Sequence, residues 1–227
     1  MKLKLVKTHL KQIPYGLFVH IPKTGGISIL KSGVVSWNTY FNGKRSYRGG
    51  GNFYCICYGH ENSTWIKKEA GNRNWDSMFK FCFVRNPYDR LVSFYHFMAQ
   101  KKNPLYSWSK EEKDKKQAIG KRTFKEFCFM FSKNKILEGS TGIRQQYKHI
   151  TDENGQIMVD YIGRYEKFQQ DWDYLCKNIF HHEYLLPHVN RSNHKDYISY
   201  YDEETKQVVS DYYKKDFEMF GYDKLLT

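Results

Sequence analysis

The sequence predicts an α/β fold, a central parallel sheet flanked by helices, and two strand-to-helix units carry that prediction. In the first, the apolar run Gly16-Leu17-Phe18-Val19-His20-Ile21 reads as a strand. It enters the turn Pro22-Lys23-Thr24-Gly25-Gly26, and a helical pattern then runs through Ile27, Leu30, Lys31 and Val34. In the second, a strand over Met78 to Val84 is followed by Pro87 where a first helical turn tolerates proline. Leu91, Val92, Phe94, Tyr95 and Met98 then give the next helix an apolar face. Strands that alternate with helices pair in parallel, because each helix carries the chain back across the sheet. The 227 residues suit one domain spanning 1–227, with no internal repeat and no linker composition.

The remaining elements follow in chain order. A glycine-rich stretch, Gly43 to Gly51, precedes a strand predicted at Phe53 to Tyr58. Lys101 to Lys125 is dense in lysine and reads as an exposed basic insertion between helices, either a solvated face or a docking surface for an anionic substrate. Thr123 to Phe131 reads as a buried helix, Asn154-Gly155 as a turn, and Met158 to Ile162 as a strand. A helix over Glu166 to Ile179, a short strand over Glu183 to Leu186 and a C-terminal helix over Asp202 to Phe220 complete the pattern.

Composition narrows the function classes. Aromatic residues make up 18% of the chain, ample apolar surface for a core, which excludes a disordered tail protein. No apolar run approaches the roughly 18 residues that span a bilayer, and no apolar segment follows the basic start, so no membrane insertion is expected. A net charge of +13 points to an anionic partner: nucleic acid, a membrane surface, a polyanionic glycan or a phosphorylated cofactor. Excess lysine that merely keeps the chain soluble gives the same charge. Five cysteines without paired spacing read as buried reduced thiols, in keeping with a reducing compartment.

The first strand, turn and helix suit phosphate binding. A glycine pair lets the backbone approach an anion, and the first amides of the helix point at it. Lys23 adds a full charge, and Thr24 and Ser28 add hydroxyls. The lysine precedes the glycines, unlike the Walker order, and no apolar strand ending in Asp follows to serve magnesium. The second unit places Arg85, with its planar fork of donors, at the end of a strand, and Ser93 on the helix after it.

His20-Ile21-Pro22-Lys23-Thr24-Gly25-Gly26-Ile27-Ser28 resembles the 5′-phosphosulfate loop of sulfotransferases that use 3′-phosphoadenosine 5′-phosphosulfate, most closely the carbohydrate branch. Phe83-Val84-Arg85-Asn86-Pro87-Tyr88-Asp89-Arg90-Leu91-Val92-Ser93 is similar to that family's 3′-phosphate segment. The stretch Asp160 to Phe168, with Arg164, resembles its later strand-to-helix segment. His188-Val189-Asn190-Arg191-Ser192 resembles a loop that closes over the cofactor. The resemblance runs from about Leu17 to Tyr222, and Ile27 stands where the family commonly carries a hydroxyl residue.

The resemblance implies a P-loop-like sulfotransferase fold, and Lys23, Thr24, Gly25, Gly26, Ile27, Ser28, Arg85, Ser93, Arg164, Arg191 and Ser192 as cofactor-binding residues. It also implies Lys23 as the group that stabilises the leaving phosphate. His60, in the Gly-His pair after the second strand, becomes the general base, with Glu61 as substitute. His20 reads as a packed or loop-bracing residue. His181, His182 and His188 lack carboxylate or cysteine partners at ligand spacing, so no metal is expected.

The implied acceptor is a carbohydrate hydroxyl, on a glycan that can itself be anionic. Golgi relatives carry a membrane anchor and stem before the loop, and the loop begins here at residue 20, so a soluble enzyme or a trimmed chain is expected, cytoplasmic because no signal peptide or spanning segment is seen. Two other readings stay open. One is a P-loop kinase or nucleotidase. The other is a non-catalytic module for nucleic acid or another polyanion, supported by charge alone since no nucleic-acid motif appears. Oligomeric state is not legible in the sequence.

Overall fold

The computed structural model describes residues 16–37, 55–57, 59–99, 110–133, 141–187 and 196–224. They fall into two compact units. One is drawn from Met1–Ile21, Gly25–Val84 and Lys148–Val189, the other from Pro22–Thr24, Arg85–Tyr147 and Asn190–Thr227. Gly43 to Gly51 and the segment with His188, Arg191 and Ser192 lie outside the described residues.

The first unit holds a five-stranded sheet of β1 (Gly16–Phe18), β2 (Val35–Trp37), β3 (Cys55–Cys57), β4 (Phe79–Val84) and β5 (Tyr161–Arg164). Its order is β2-β3-β1-β4-β5 and every pairing is parallel. The parallel α/β class read from the sequence is therefore present. β1 and β4 are neighbours, with Phe18 opposite Phe81, and the Val19 amide extends their ladder by donating to the Phe81 carbonyl at 2.9 Å. The segments that follow these two strands consequently leave the same edge of the sheet, the carboxyl edge where open α/β sheets bind ligands.

β4 is buried along nearly its whole length, as central parallel strands are. Its one charged residue, Lys80, is accommodated rather than exposed. Its ammonium donates to the Met78 carbonyl at 2.7 Å and pairs with Asp160 at 3.0 Å, and its backbone amide donates to the same carboxylate. The core on this sheet joins Phe18, Phe81 and Phe83 to Trp172, Leu175 and Phe180. α1 (Gly26–Lys31), α2 (Ser63–Ala70), α3 (Asn72–Ser77) and α8 (Phe168–Leu175) complete the unit, with a 3-10 turn at Tyr165–Lys167 and a π-helical turn at Cys176–Phe180.

The second unit is helical: α4 (Pro87–Ala99), α5 (Lys110–Gly120), α6 (Phe124–Lys133), α9 (Glu203–Tyr212) and α10 (Lys214–Phe220), with a 3-10 turn at Tyr197–Tyr200. The short helix α7 (Tyr147–Ile150) lies between β4 and β5 in the chain. The core of this unit gathers Tyr88, Leu91, Val92, Phe94 and Met98 of α4 with Ile119, Phe127, Val209, Tyr213 and Phe217. Asp202 caps α9 through a reciprocal pair with Thr205, which is why the C-terminal helix begins where its sequence indicates.

Several elements differ from expectation. The basic segment is not simply an insertion between helices: its described part from Lys110 forms α5, and Ile119 anchors that helix fully buried in the core. β5 starts three residues later than predicted, because Ile157 bridges antiparallel to Thr151 and the Met158 amide donates to the Ile150 carbonyl. Glu183 to Leu186 is not a strand. Tyr184 and Leu186 are buried in the core, and the Tyr184 carbonyl accepts from Trp172 Nε1 at 2.7 Å. The C-terminal helix is two helices, divided at Tyr213, whose buried hydroxyl donates to the Ile143 carbonyl at 2.7 Å. β2, α2 and α3 have no counterpart in the sequence reading.

Candidate active site

The glycine pair of the loop is explained first by packing inside the first unit. Gly25 has φ +85°, and a side chain there would meet Phe168 Cζ at 2.7 Å. At Gly26 a Cβ would lie 2.0 Å from His20 Nε2. His20 is only 3% exposed and stacks on Phe18 at 5.3 Å, so it has little room to yield. This fits both parts of the sequence reading of His20, packing and bracing. We expect Gly26→Ala to cost about 1–3 kcal/mol by overpacking, read as a lowered melting temperature, with His20 displaced. A variant as stable as the parent would show that the ring moves freely.

That displacement matters because the His20 carbonyl holds His60. His60 Nδ1 lies 3.0 Å from this oxygen, and the two rings are 4.3 Å apart. A carbonyl can only accept, so Nδ1 carries the proton and the neutral ring presents Nε2 as its basic nitrogen. Glu61 is partly buried beside it, and Asn62 follows as the cap of α2, accepting from the Trp65 amide at 2.8 Å. Ser28 lies buried on α1, Ile27 is partly exposed there, and Arg164 ends β5, its amide donating to Asp171 at 2.6 Å.

In the second unit Lys23 and Arg85 come together with residues the sequence reading did not select, and Thr24 and Ser93 belong to the same unit. Thr24 is fully buried and Ser93 nearly so. Arg90 is 1% exposed, and its guanidinium donates to the carbonyls of Pro22 at 2.9 Å, Gly142 at 3.1 Å and Arg144 at 2.9 Å. Arg85 Nη1 donates to the Lys23 carbonyl at 3.3 Å. Two consecutive loop carbonyls are thus drawn to two arginines of one motif. Lys23 between them adopts φ +70°, a conformation a residue with a side chain takes at a cost.

The Lys23 ammonium lies over the Phe97 ring at 4.3 Å. Burial, and then the charges of Arg85 and Arg90, lower its pKa to about 8. The fork that the sequence assigns to a phosphate is partly engaged by the protein itself. Arg85 Nε and Nη2 each donate to Asp89, one turn along α4, at 2.7 Å. Asp89, Ser93 and Phe97 recur at four-residue spacing, one face of α4. Among the described residues no group of three or more His, Cys, Asp or Glu side chains is placed to hold a metal ion, and no helix is long and apolar enough to cross a membrane.

A sulfotransferase family model matches residues 17–223, from the first residues of β1 to the end of α10 and beyond. The chain belongs to the sulfotransferase family. The structure of mouse sulfotransferase SULT7A1 complexed with PAP has the same fold. It matches with a TM-score of 0.52 and 12% sequence identity, over 90% of this chain and 85% of that one. Comparison with curated proteins finds no match. In this sulfotransferase the two strongest motifs therefore sit where the sequence puts them, after β1 and after β4. Asp89 and Arg90 were visible inside the second motif, and their charge was the available signal. Nothing local marked Gln146 or Asp216, described below.

Proposed function

We propose that this sulfotransferase moves the sulfuryl group from 3′-phosphoadenosine 5′-phosphosulfate to a hydroxyl of a carbohydrate acceptor, with His60 as general base and Lys23 stabilising the leaving phosphate. The observation that carries the cofactor reading is the setting of Lys23: a partly buried ammonium near two guanidinium groups, whose pKa is lowered first by burial and then by the charges of Arg85 and Arg90. A nucleotide phosphate supplies the opposite charge. The PAP complex of the mouse protein with the same fold agrees with it.

The residues divide the chemistry. The acceptor hydroxyl gives its proton to His60 Nε2 as its oxygen bonds to sulfur. The bond from sulfur to the phosphate oxygen breaks, and the electron pair stays on the nucleotide, where Lys23 offsets it. Arg85 serves the 3′-phosphate together with Ser93 of α4, while Thr24, Ser28 and the amides of Gly25, Gly26 and Ile27 serve the phosphosulfate end. Arg164, Arg191 and Ser192 remain assigned by resemblance. For the acceptor, Lys110 and Lys113 are exposed on α5 and Lys121 follows it, a positive surface suited to an anionic glycan.

Arg85→Ala tests the cofactor reading. Loss of charge-assisted hydrogen bonds should weaken binding of 3′-phosphoadenosine 5′-phosphate by about 10- to 100-fold in titration calorimetry. Unchanged affinity in a folded variant removes the assignment. A screen of glycans, lipid-linked sugars, small hydroxylated metabolites and tyrosine peptides with radiolabelled donor tests the acceptor. Transfer to the peptide alone would overturn the carbohydrate reading. The family match along almost the whole chain gives no support to the kinase or polyanion-module readings.

A further inference from the structure

Gln146 is fully buried and its side-chain amide brackets one residue. Its Oε1 accepts from the Arg85 amide at 2.9 Å, and its Nε2 donates to the Arg85 carbonyl at 2.8 Å. A side chain has taken the place of a neighbouring strand just where β4 ends, satisfying both backbone groups of Arg85. Gln146 is itself held. Asp216 of α10, also fully buried, accepts from the Gln146 amide at 2.8 Å through one oxygen and from the Tyr147 amide at 2.9 Å through the other. The preceding residues are pinned as well, Ile143 by the Tyr213 hydroxyl and Gly142 and Arg144 by Arg90.

We propose that Gln146, seated by Asp216, is the positioning residue that sets the Arg85 backbone and thereby aims its guanidinium at the 3′-phosphate. Asp89 fixes the far end of the side chain, but the direction in which it leaves the backbone is set by the Gln146 bracket. Two buried amide hydrogen bonds at one residue restrict that direction more tightly than a strand end alone does, and through Asp216 they would tie α10 to cofactor selection. The proposal rests on the cofactor reading above, in which Arg85 meets the 3′-phosphate.

The test compares affinities for 3′-phosphoadenosine 5′-phosphate and adenosine 5′-phosphate, which lacks only the 3′-phosphate. In Gln146→Met, similar in length but without polar ends, the preference for the bisphosphate should fall by about tenfold while affinity for the monophosphate stays near the parent's. Asp216→Asn, which keeps one of the two acceptor oxygens, should lower the same ratio and decides the matter if Gln146→Met does not fold. A preserved ratio, or equal loss of both ligands, overturns the proposal and leaves Gln146 a stability residue. Arg85→Ala separates the two failures: if it keeps the preference, the cofactor reading is wrong, and if it loses the preference while Gln146→Met keeps it, only the positioning role is wrong.

Discussion

Lys23→Ala should lower turnover by roughly 10²- to 10³-fold, the loss typical of removing one donor that meets charge developing in a transition state. In the proposed reaction the leaving phosphate gains negative charge as the bond to sulfur breaks, and an ammonium held in a partly buried site would meet it without reorganising. The pH dependence gives an independent reading. Lys23 has a pKa of about 8, below the 10.5 of an ordinary lysine. Cofactor affinity should therefore decline as pH rises through that value, because the free enzyme loses the ammonium that the phosphate needs, with a separate decline only where the phosphate itself takes up a proton, at about pH 6. Lys23→Ala should lack the decline at about pH 8.

Proton linkage follows with a definite sign. Between pH 8 and 10.5 the unfolded chain holds a Lys23 proton that the folded one has released, so this residue makes the free protein more stable as pH rises through that window. Bound phosphate raises the Lys23 pKa again, so binding near pH 8.5 should take up a proton. Calorimetry in buffers of different ionisation enthalpy measures this. Binding without proton uptake, with no break in affinity, would falsify the placement of Lys23 against the phosphate.

His60→Ala should reduce turnover by about 10²- to 10⁴-fold, the range for a lost general base, with cofactor affinity nearly unchanged. The acidic limb of the rate profile should disappear with it, since in the proposed mechanism a protonated base cannot take the acceptor's proton. The hydrogen bond to the His20 carbonyl makes this more than a question of residue type: it holds the ring in the tautomer whose basic nitrogen is Nε2. His60→Gln preserves a polar side chain of similar reach and should not restore the rate. Parent-like turnover in His60→Ala would remove the base assignment and direct the same measurement to Glu61→Gln.

Much of this was legible in the sequence where one short segment carries both its element and its chemistry. The run ending in Arg85-Asn86-Pro87 announces a buried strand, a helix start and a cation in consecutive residues, and the structure places β4, α4 and Arg85 accordingly. Reading failed where an apolar alternation served packing rather than a ladder, as at Tyr184 and Leu186, and where a helical pattern hid a buried tyrosine at the break between α9 and α10. Periodicity reports which side chains are apolar. It does not report whether the backbone between them finds a strand to pair with.

The sequence by itself determined the parallel α/β class, the family, and the two segments that carry Lys23 and Arg85, because each of these is encoded within a dozen neighbouring residues. Only the tertiary structure decided how those charges are held: Arg85 clasped by Asp89 and bracketed by Gln146, Arg90 turned onto the Pro22 carbonyl, and Gln146 seated by Asp216. Most of these partners are remote along the chain, 61 residues from Arg85 to Gln146, 68 from Arg90 to Pro22 and 70 from Gln146 to Asp216. The reason is physical: a buried hydrogen bond depends on distance and direction in the folded chain, and no local pattern of residues specifies which distant donor will reach which acceptor.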